Sequence, residues 1–494
     1  MTRHLAIDLG AESGRVVVGH LEDGSLRLEE VHRFPNGPVH VLGRLHWDVL
    51  RLWSEIKQGL YLAAQAYGGD LASVGLDTWG VDFGLLAPDG TLLGNPYHYR
   101  DSRTNGMLEA AFEIVPRAEV FERTGIQFMQ INTLYQLLSM VRSNASALSV
   151  AETLLNMPDL FNYWLSGRKA SEFTIASTSQ CYDPRTGDWA WGVLEELGIP
   201  SRIFGEIVQP GTVLGPLSDS VAEEVDCPPI PVVASAGHDT AAAVATVPAT
   251  GDDHIYISSG TWSLMGVAVR DPIITEQSLA YNFTNEGGVD GTFRFLKNIM
   301  VLWLVQECRR EWKREGVDLS YDELTRMAEQ ASPFGPLVSP SDSRFLPPGD
   351  MPARIQGFCR ETGQAVPESK GEIVRCALES LALEYRWVAE RLDEMVGQRL
   401  PTVHIFGGGS QNKFLNQFAA DATNRIIVAG PVEATAIGNV LVQALALGQL
   451  GSLAEGRALV RRSFEVTTYE PQLVGDWDEA YKRYVRLGNL EGLN

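Results

Sequence analysis

Short apolar runs followed by glycine-containing turns, and then by helical patterns, recur along the chain. One such run, Ile230 to Ala234, leads through Gly237 into an alanine-rich segment that follows Thr240. This pattern predicts a buried strand, a tight turn and a helix, with Asp239 at the helix N-terminus. A carboxylate there either caps the helix or takes a proton from a bound ligand. We expect the helix N-terminus to keep Asp239 ionised at neutral pH.

Two segments share the order strand, small polar turn, strand. The first spans residues 5–19 and the second residues 255–267. We interpret the pair as a diverged internal duplication whose second half starts a new domain near residue 247. Each hairpin alone is typical of an ordinary edge hairpin. The alternative is that the turn N–H groups face a polyphosphate, with Asp8 ordering a hydrated Mg²⁺.

A polar cluster lies between the hairpins, where Asp77 and Asp82 flank a hydroxyl, an indole and Gly80. Sugar hydroxyls need paired donors and acceptors, and the C–H face of a sugar ring needs an aromatic wall. The cluster therefore favours a sugar site. A strand end with solvated acids is the alternative interpretation.

Two further features lie in the C-terminal half. We interpret residues 295–306 as a helix on which Asn298 and Gln306, eight positions apart, share a face that either binds a ligand or meets solvent. Three glycines, Gly407 to Gly409, join a strand at 402–406 to a helix that begins at Lys413. Without side chains over this loop, adenine can lie against its backbone. A flexible turn is the alternative, and no Walker sequence follows.

Composition narrows the possible functions. A chain of 494 residues with 45% hydrophobic content predicts two domains. The net charge of −22 argues against nucleic acids and anionic membranes as partners. The initial apolar run breaks at Asp8, too early for a signal peptide, and we find no run long enough to span a bilayer. These features predict a soluble cytoplasmic protein.

The cysteines and histidines do not indicate a metal site. Five scattered cysteines lack a Cys-x-x-Cys pair and are expected to be reduced, although Cys359 and Cys376 flank a connection across which they could approach each other. His32, His40 and His46 have spacings that match no helical ligand pair, so we expect ordinary loop histidines.

Taken together, these stretches resemble the FGGY carbohydrate kinases, in the same order and over essentially the whole chain. The resemblance rests on six or more motifs in register, namely Ala6–Arg15, Asp77–Asp82, Tyr99–Gly106, Gly237–Thr240, Ser258–Gly266, Leu296–Met300, Gly407–Asn412 and Ala429–Ala434.

The resemblance implies an α/β fold of two actin-like, Hsp70-like ATPase domains (ribonuclease H-like) that flank a central cleft. Residues 1–246 would carry most of the sugar site. Residues 247–494 would carry most of the adenine site, and the final helix could pack back on the first domain.

The resemblance also implies a role for each motif residue. Asp239 would be the general base, and Asp8 would hold Mg²⁺ through water. ATP would be bound by Ala11, Glu12, Ser13, Gly14, Arg15, Thr261, Gln306 and Gly408, and the sugar by Gly80, His238 and Asn298. Glu12 departs from the small neutral residue that such a phosphate turn accommodates more easily, and its role stays open.

The implied activity is transfer of the γ-phosphoryl group of MgATP to the 1-hydroxyl of L-rhamnulose. Other acceptors, such as L-fuculose, a pentulose or glycerol, stay open at this point. A non-catalytic nucleotide switch or sugar sensor with the same fold is the remaining alternative.

Overall fold

The computed structural model of the chain describes residues 1–260, 262–300 and 302–487. They form two compact units, neither of which is continuous in sequence. Unit 1 comprises residues 1–250, 268–295 and 434–463, and unit 2 comprises residues 251–267, 296–433 and the described residues from 464 onward. The sequence predicted two domains that are each continuous in sequence, residues 1–246 and 247–494. These domain boundaries stay a prediction.

Both units combine strands with helices. The strands are β1 (Thr2–Leu9), β2 (Ser13–Glu22), β3 (Ser25–Pro35), β4 (Pro38–Val41), β5 (Arg44–Trp47), β6 (Leu71–Thr78), β7 (Phe83–Leu86), β8 (Thr153–Asn156), β9 (Ser171–Glu172), β10 (Tyr182–Asp183), β11 (Asp188–Trp189), β12 (Ile207–Val208), β13 (Thr212–Pro216), β14 (Pro231–Ala234), β15 (His254–Ser259), β16 (Ser263–Val269), β17 (Thr284–Gly287), β18 (Phe293–Ile299), β19 (Thr402–Phe406), β20 (Ile426–Ala429) and β21 (Thr467–Tyr469). The helices are α1 (Val49–Tyr67), α2 (Met107–Phe112), α3 (Arg117–Thr124), α4 (Thr133–Arg142), α5 (Ser146–Val150), α6 (Met157–Ser166), α7 (Phe173–Ala176), α8 (Trp191–Glu196), α9 (Asp219–Glu224), α10 (Asp239–Ala245), α11 (Glu276–Ala280), α12 (Leu302–Arg314), α13 (Tyr321–Gln330), α14 (Met351–Glu361), α15 (Lys370–Val396), α16 (Lys413–Thr423), α17 (Ala434–Ala446), α18 (Leu453–Ser463) and α19 (Val474–Leu487).

Unit 1 is built on a six-stranded sheet with the order β13-β14-β6-β1-β2-β3. Strand β1 is antiparallel to β2 and parallel to β6. Side chains such as Ile7 belong to a core shared with Ile56 of α1. On α17, Val440 lies so close to β2 that a Cβ at Gly19 would come within 2.6 Å of it. Because the sheet is covered on both faces, β1 is apolar at successive positions instead of alternating.

In unit 2, β15 pairs antiparallel with β16 and parallel with β19, which in turn pairs parallel with β20. The long helix α15 begins at a capping box in which the side chains of Ser369 and Glu372 each accept from the other residue's backbone N–H. It ends at Gly397 in the left-handed conformation. Both predicted hairpins are present, as are the strand at 402–406 and the helix from Lys413.

The interpretation of residues 295–306 as one helix was wrong. Strand β18 occupies Phe293–Ile299, and α12 begins only at Leu302. Asn298 therefore lies on a strand and Gln306 on a helix, so helical spacing does not relate them. A short apolar run cannot be assigned to strand or helix by periodicity alone, and here the β-compatible aromatic residues at 293 and 295 indicate the strand.

Among the described helices, none combines the length and apolarity needed to cross a bilayer. All five cysteines are free and buried. Cys359 and Cys376 are close enough for their thiols to hydrogen-bond, which lowers the pKa of Cys359 and raises that of Cys376.

Candidate active site

An arginine and two aspartates form a row across three neighbouring strands of unit 1. Asp8 is the register partner of Arg15 on β2 and of Asp77 on β6. Register partners project from the same face of a sheet, so the three side chains lie side by side. Arg15 donates to one oxygen of Asp8, Oδ2, through Nε at 2.9 Å and Nη2 at 2.7 Å.

Asp77 is wholly buried and only partly hydrogen-bonded. Its Oδ2 accepts from Asn439 Nδ2 at 2.6 Å, whereas Oδ1 has no hydrogen-bond partner among the described residues. Asn439 is itself held by Gln443, one turn further along α17, at 2.7 Å. Burial, followed by repulsion from Asp8, raises the pKa of Asp77 well above its ordinary value. Asp77 therefore keeps one buried oxygen available for a ligand.

Asp239 is the first residue of α10, and His238 precedes it as the N-cap. Its Oδ1 accepts from Thr240 N at 2.5 Å and from Thr240 Oγ1 at 3.0 Å. The side chain is 32% exposed, yet protein atoms surround most of the carboxylate. Burial, and then the charge of Asp8, raise its pKa to about 6.

A pKa of about 6 is compatible with our expectation that Asp239 is ionised at neutral pH, but the helix N-terminus does not lower this pKa below its ordinary value. The helix has only seven residues, and desolvation together with a neighbouring carboxylate outweighs its effect. Asp239 still contacts the first turn of the helix, so the capping interpretation describes part of its environment.

Two buried side chains hold the turn that precedes Asp239. Glu172 Oε2 accepts from Gly237 N at 2.9 Å, and Thr174 Oγ1 accepts from His238 N at 3.1 Å. Thr174 Oγ1 in turn donates to Glu172 Oε2 at 2.6 Å. Burial raises the pKa of Glu172 to about 7, although these donors oppose the shift. The backbone N–H groups of Gly237 and His238 are thus held by the buried side chains of Glu172 and Thr174.

Gly80 lies directly against this turn. Thr78 N donates to Gly237 O at 2.9 Å, and a Cβ on Gly80 would lie 3.4 Å from His238 Nε2. The next residue, Val81, has a φ of +67°, and Asp82 N donates back to Gly80 O, which gives a strained γ-turn. The fold thereby brings together Gly80, His238 and Asp239, which the sequence assigned to one site.

Asp82 and Trp79 point inward. Asp82 accepts from the indole N–H of Trp47 at 2.6 Å, from that of Trp79 at 3.0 Å, and from Gln136 Nε2 at 2.9 Å. The Trp79 ring packs against the Trp47 ring at 4.0 Å between centroids, with the two planes tilted by 34°. Burial raises the pKa of Asp82 to about 6. These two residues form a buried network that supports the turn at Gly80, so neither presents a polar group to a ligand.

The tip of the first hairpin is open to solvent at Glu12 and Ser13, and Ala11 is half-buried. Gly10 N donates to Ser13 O at 2.8 Å and closes the turn. Gly14 has a packing role, because a Cβ there would lie 2.3 Å from the Phe34 ring. The exposed turn leaves backbone groups accessible to a ligand.

In unit 2, the glycine loop packs on the end of β15. A Cβ on Gly409 would lie 2.0 Å from Ser259 Oγ. Gly407 has a φ of +81°, and its Cβ would lie 2.9 Å from Ser259 O. Only Gly408 borders open space. Two of the three glycines thus serve local packing, and Gly408 is the position at which a ligand can approach the backbone.

Two other predicted residues of unit 2, Asn298 and Gln306, are half-buried. Gln306 lies on α12, where its Oε1 is buried with no hydrogen-bond partner among the described residues. Asn298 lies on β18. Thr261 lies outside the described residues. A buried amide oxygen without a partner is unfavourable, so Gln306 is suited to receive a donor from a ligand.

Sequence reasoning missed Arg294, Glu286 and Glu172, all of which are buried beside His238 or its turn. A signal for Arg294 was present, because it alternates with phenylalanines at 293 and 295 in a β-rich run. A cation flanked by large apolar residues indicates a paired buried charge. Glu172 had no comparable signal, since its partners are backbone groups distant in sequence.

Models of protein families match almost the whole chain. The N-terminal domain of the FGGY family of carbohydrate kinases matches residues 4–245, and its C-terminal domain matches residues 255–447. The chain belongs to this family. It is therefore a carbohydrate kinase, as the sequence predicted.

Curated relatives within the family carry the name rhamnulokinase. The one from Bacteroides thetaiotaomicron is 48% identical over 476 residues, which cover 96% of this chain and 97% of that protein. The one from Oceanobacillus iheyensis is 41% identical over 466 residues, with 94% and 98% covered.

Solved structures of other kinases share the fold at low sequence identity. A gluconate kinase from Lactobacillus acidophilus superposes with a TM-score of 0.82 at 16% identity, covering 99% of this chain and 98% of that one. A ligand-bound xylulose kinase from the same organism gives 0.81 at 16% identity, with the same coverage. The predicted α/β class with two actin-like, sheet-containing domains is confirmed.

Proposed function

We propose that this kinase transfers the γ-phosphoryl group of MgATP to the 1-hydroxyl of L-rhamnulose. The observation that carries the proposal is the position of Asp239, a carboxylate with a raised pKa beside His238 Nε2, which itself lies against Gly80. The choice of L-rhamnulose is supported by the curated rhamnulokinases, which align with nearly the full chain.

Asp239 would act as the general base. With a pKa of about 6 it is ionised at neutral pH and still basic enough to accept a proton from an alcohol late in a loose transition state. The oxygen that accepts is expected to be Oδ2, because Oδ1 already accepts from Thr240 N and Oγ1. His238, Gly80 and Asn298 would contact the sugar and hold its hydroxyl in line, so that most of the catalysis is positioning.

The carboxylates of unit 1 fit a hydrated Mg²⁺. Mg²⁺ usually keeps several waters and is held by one or two carboxylates together with the phosphates of the substrate. When bound, it would neutralise part of the negative charge of these phosphates. Within the described part of the chain, no three His, Cys, Asp or Glu side chains are grouped as direct ligands. Asp8 and Asp77 Oδ1, which has no hydrogen-bond partner in the described part of the chain, instead supply neighbouring acceptors for water molecules.

ATP would be bound by the residues that the sequence assigned to it. The hairpin tip, Ala11 to Arg15, and Thr261 would contact the phosphates, and Gln306 and Gly408 would line the nucleotide site. Support comes from the exposed turn at the tip, the open space at Gly408 and the buried Gln306 Oε1, which no described residue hydrogen-bonds.

A panel of acceptors tests the proposal. Release of ADP is measured with L-rhamnulose, L-fuculose, D-fructose, D-xylulose and glycerol, and ³¹P NMR identifies the phosphorylated position. We expect the highest kcat/KM with L-rhamnulose and a 1-phosphate product. A higher value with another acceptor would replace L-rhamnulose within the same family. ATP binding without turnover on any acceptor would instead favour the non-catalytic switch.

A further inference from the structure

Arg294 is a wholly buried cation with one hydrogen bond to His238, a residue of the predicted sugar site. Its Nη2 lies 2.8 Å from His238 Nδ1 and 3.1 Å from Glu286 Oε2. Its Nε donates to Gly287 O at 2.8 Å. These contacts on two sides hold the plane of the guanidinium fixed against the imidazole ring.

The contact with Arg294 determines which nitrogen of His238 carries the proton. A guanidinium only donates hydrogen bonds and stays charged in proteins, so Nδ1 must accept. An imidazole whose Nδ1 accepts is neutral and carries its proton on Nε2. Burial, and then the positive charge of Arg294, lower the pKa of His238 well below its ordinary value, in agreement with this geometry.

The protonated nitrogen faces the site. His238 Nε2 lies 3.5 Å from Asp239 Oδ1 and 3.4 Å from the point where a Cβ on Gly80 would lie. At 3.5 Å, Nε2 is too distant from Asp239 for a good hydrogen bond, so its N–H is available to a ligand. The charged groups that face the ring are Asp239, Glu286 and Arg294.

We propose that Arg294 is a positioning residue that holds His238 as the neutral Nε2–H tautomer. His238 then donates from Nε2 to an oxygen of the acceptor sugar. Its ring lone pair lies on Nδ1 and is used by Arg294, so His238 cannot take the proton of the reacting hydroxyl. The arrangement separates the roles of two adjacent residues, with His238 as donor and Asp239 as base. The part that concerns the sugar rests on the proposed function, whereas the tautomer does not.

The tautomer is measured on the protein without substrate. Protein labelled with ¹⁵N-histidine is studied by long-range ¹H–¹⁵N NMR at pH 6–8, and the signal of His238 is assigned by its loss in His238→Asn. We expect a deprotonated Nδ1 and a protonated Nε2 throughout this range. A protonated Nδ1, or an imidazolium at pH 7, would overturn the proposal.

Three variants test the part played by Arg294. Arg294→Lys keeps a cationic donor and is expected to retain the tautomer. Arg294→Met removes the donor, and the double variant Arg294→Met/Glu286→Gln avoids leaving Glu286 without its cation if the single variant does not fold. In either Met variant we expect His238 to titrate at a higher pH and KM for the ketose to rise by about tenfold, the loss of one oriented hydrogen bond, while KM for ATP stays within about twofold.

The outcomes separate the two proposals. An unchanged His238 spectrum in the Met variants would show that Arg294 does not set the tautomer. If the tautomer depends on Arg294 as expected but no ketose is phosphorylated, the proposed function fails and the role of Arg294 toward His238 stands.

Discussion

Arg15 and Asp8 form an ion pair across the first hairpin, with Nε and Nη2 of the arginine both bound to Oδ2 of the aspartate. If Arg15 contacts phosphate when ATP binds, Arg15→Gln removes that contact and leaves the charge of Asp8 without its cation. We expect KM for ATP to rise at least about tenfold, with KM for the sugar within about twofold, because charge-assisted bonds are stronger than neutral ones.

A suitable control for this variant is Arg27→Gln. Arg27 pairs with Glu29 at 3.1 Å and is 63% exposed, so its removal should change neither constant. Equal effects of Arg15→Gln on both substrates would argue against a phosphate contact.

Asp239→Asn tests the general base. Asparagine keeps an oxygen that can accept from Thr240 and caps helices about as well as aspartate, so the free energy of unfolding should change by less than about 1 kcal/mol. It cannot accept a proton, so kcat should fall by about 10²–10⁴-fold with ATP binding retained.

Asp219 offers the matched control, since it is the first residue of the short helix α9 and is exposed. Asp219→Asn should leave kcat unchanged. An Asp239→Asn protein that folds and turns over at the wild-type rate would reduce Asp239 to a capping residue.

The pH dependence of the reaction follows from the raised pKa of Asp239. A base must be deprotonated to act, so activity is full above the pKa of about 6 and is lost as the pH falls through it. We expect kcat/KM for the sugar to decrease by about tenfold per pH unit below that value. A profile that stays flat down to pH 5, measured on protein shown to remain folded, would contradict this assignment.

Two adjacent glycines should respond differently to the same substitution. Gly409→Ala places a methyl group against Ser259 Oγ and should destabilise the protein by about 1–3 kcal/mol, the usual cost of overpacking. Gly408→Ala projects into open space and should leave the melting temperature nearly unchanged. It should nevertheless raise KM for ATP, if the nucleotide approaches the backbone there. Thermal unfolding and ATP kinetics should be measured on both variants. Equal effects of Gly408→Ala and Gly409→Ala on stability and on KM for ATP would contradict these separate roles.

Asp82→Asn tests whether the inward network is structural. Four donors converge on this carboxylate, so an amide NH₂ in its place leaves buried groups unsatisfied at a cost of about 1–3 kcal/mol. Urea unfolding should detect the loss, while the preference among ketoses stays the same. Asp89→Asn, in an exposed turn where asparagine can still accept from Thr91 N, is the control. A changed ketose preference would restore Asp82 to the sugar site.

Local patterns in the sequence predicted much of the fold. The hairpins, the strand at 402–406 and the helix from Lys413 were predicted because glycine turns and apolar runs act over a few residues. The prediction of a helix at residues 295–306 was wrong because a short apolar run fits the periodicity of a strand as well as that of a helix.

Short sequence motifs also predicted some of the residues that lie together in the candidate site. Gly80, His238 and Asp239 carry recognisable motifs, and the structure brings these three together. The raised pKa of Asp239 and the inward orientation of Asp82 depend on burial and on partners from other elements. No local pattern reports such contacts, and the same holds for Glu172 behind the turn.

The bond between Asn439 and Asp77 also bears on how the chain matures during synthesis. The two residues are 362 positions apart in sequence, although both belong to unit 1. At about 5–20 residues per second, a ribosome that has added Asp77 needs about 20–70 s to reach Asn439. Until then the nascent sheet holds a carboxylate that lacks its amide partner. Unit 1 can therefore complete its polar interior only after Asn439 has been synthesised, and a fragment ending near residue 250 should not reach the native state.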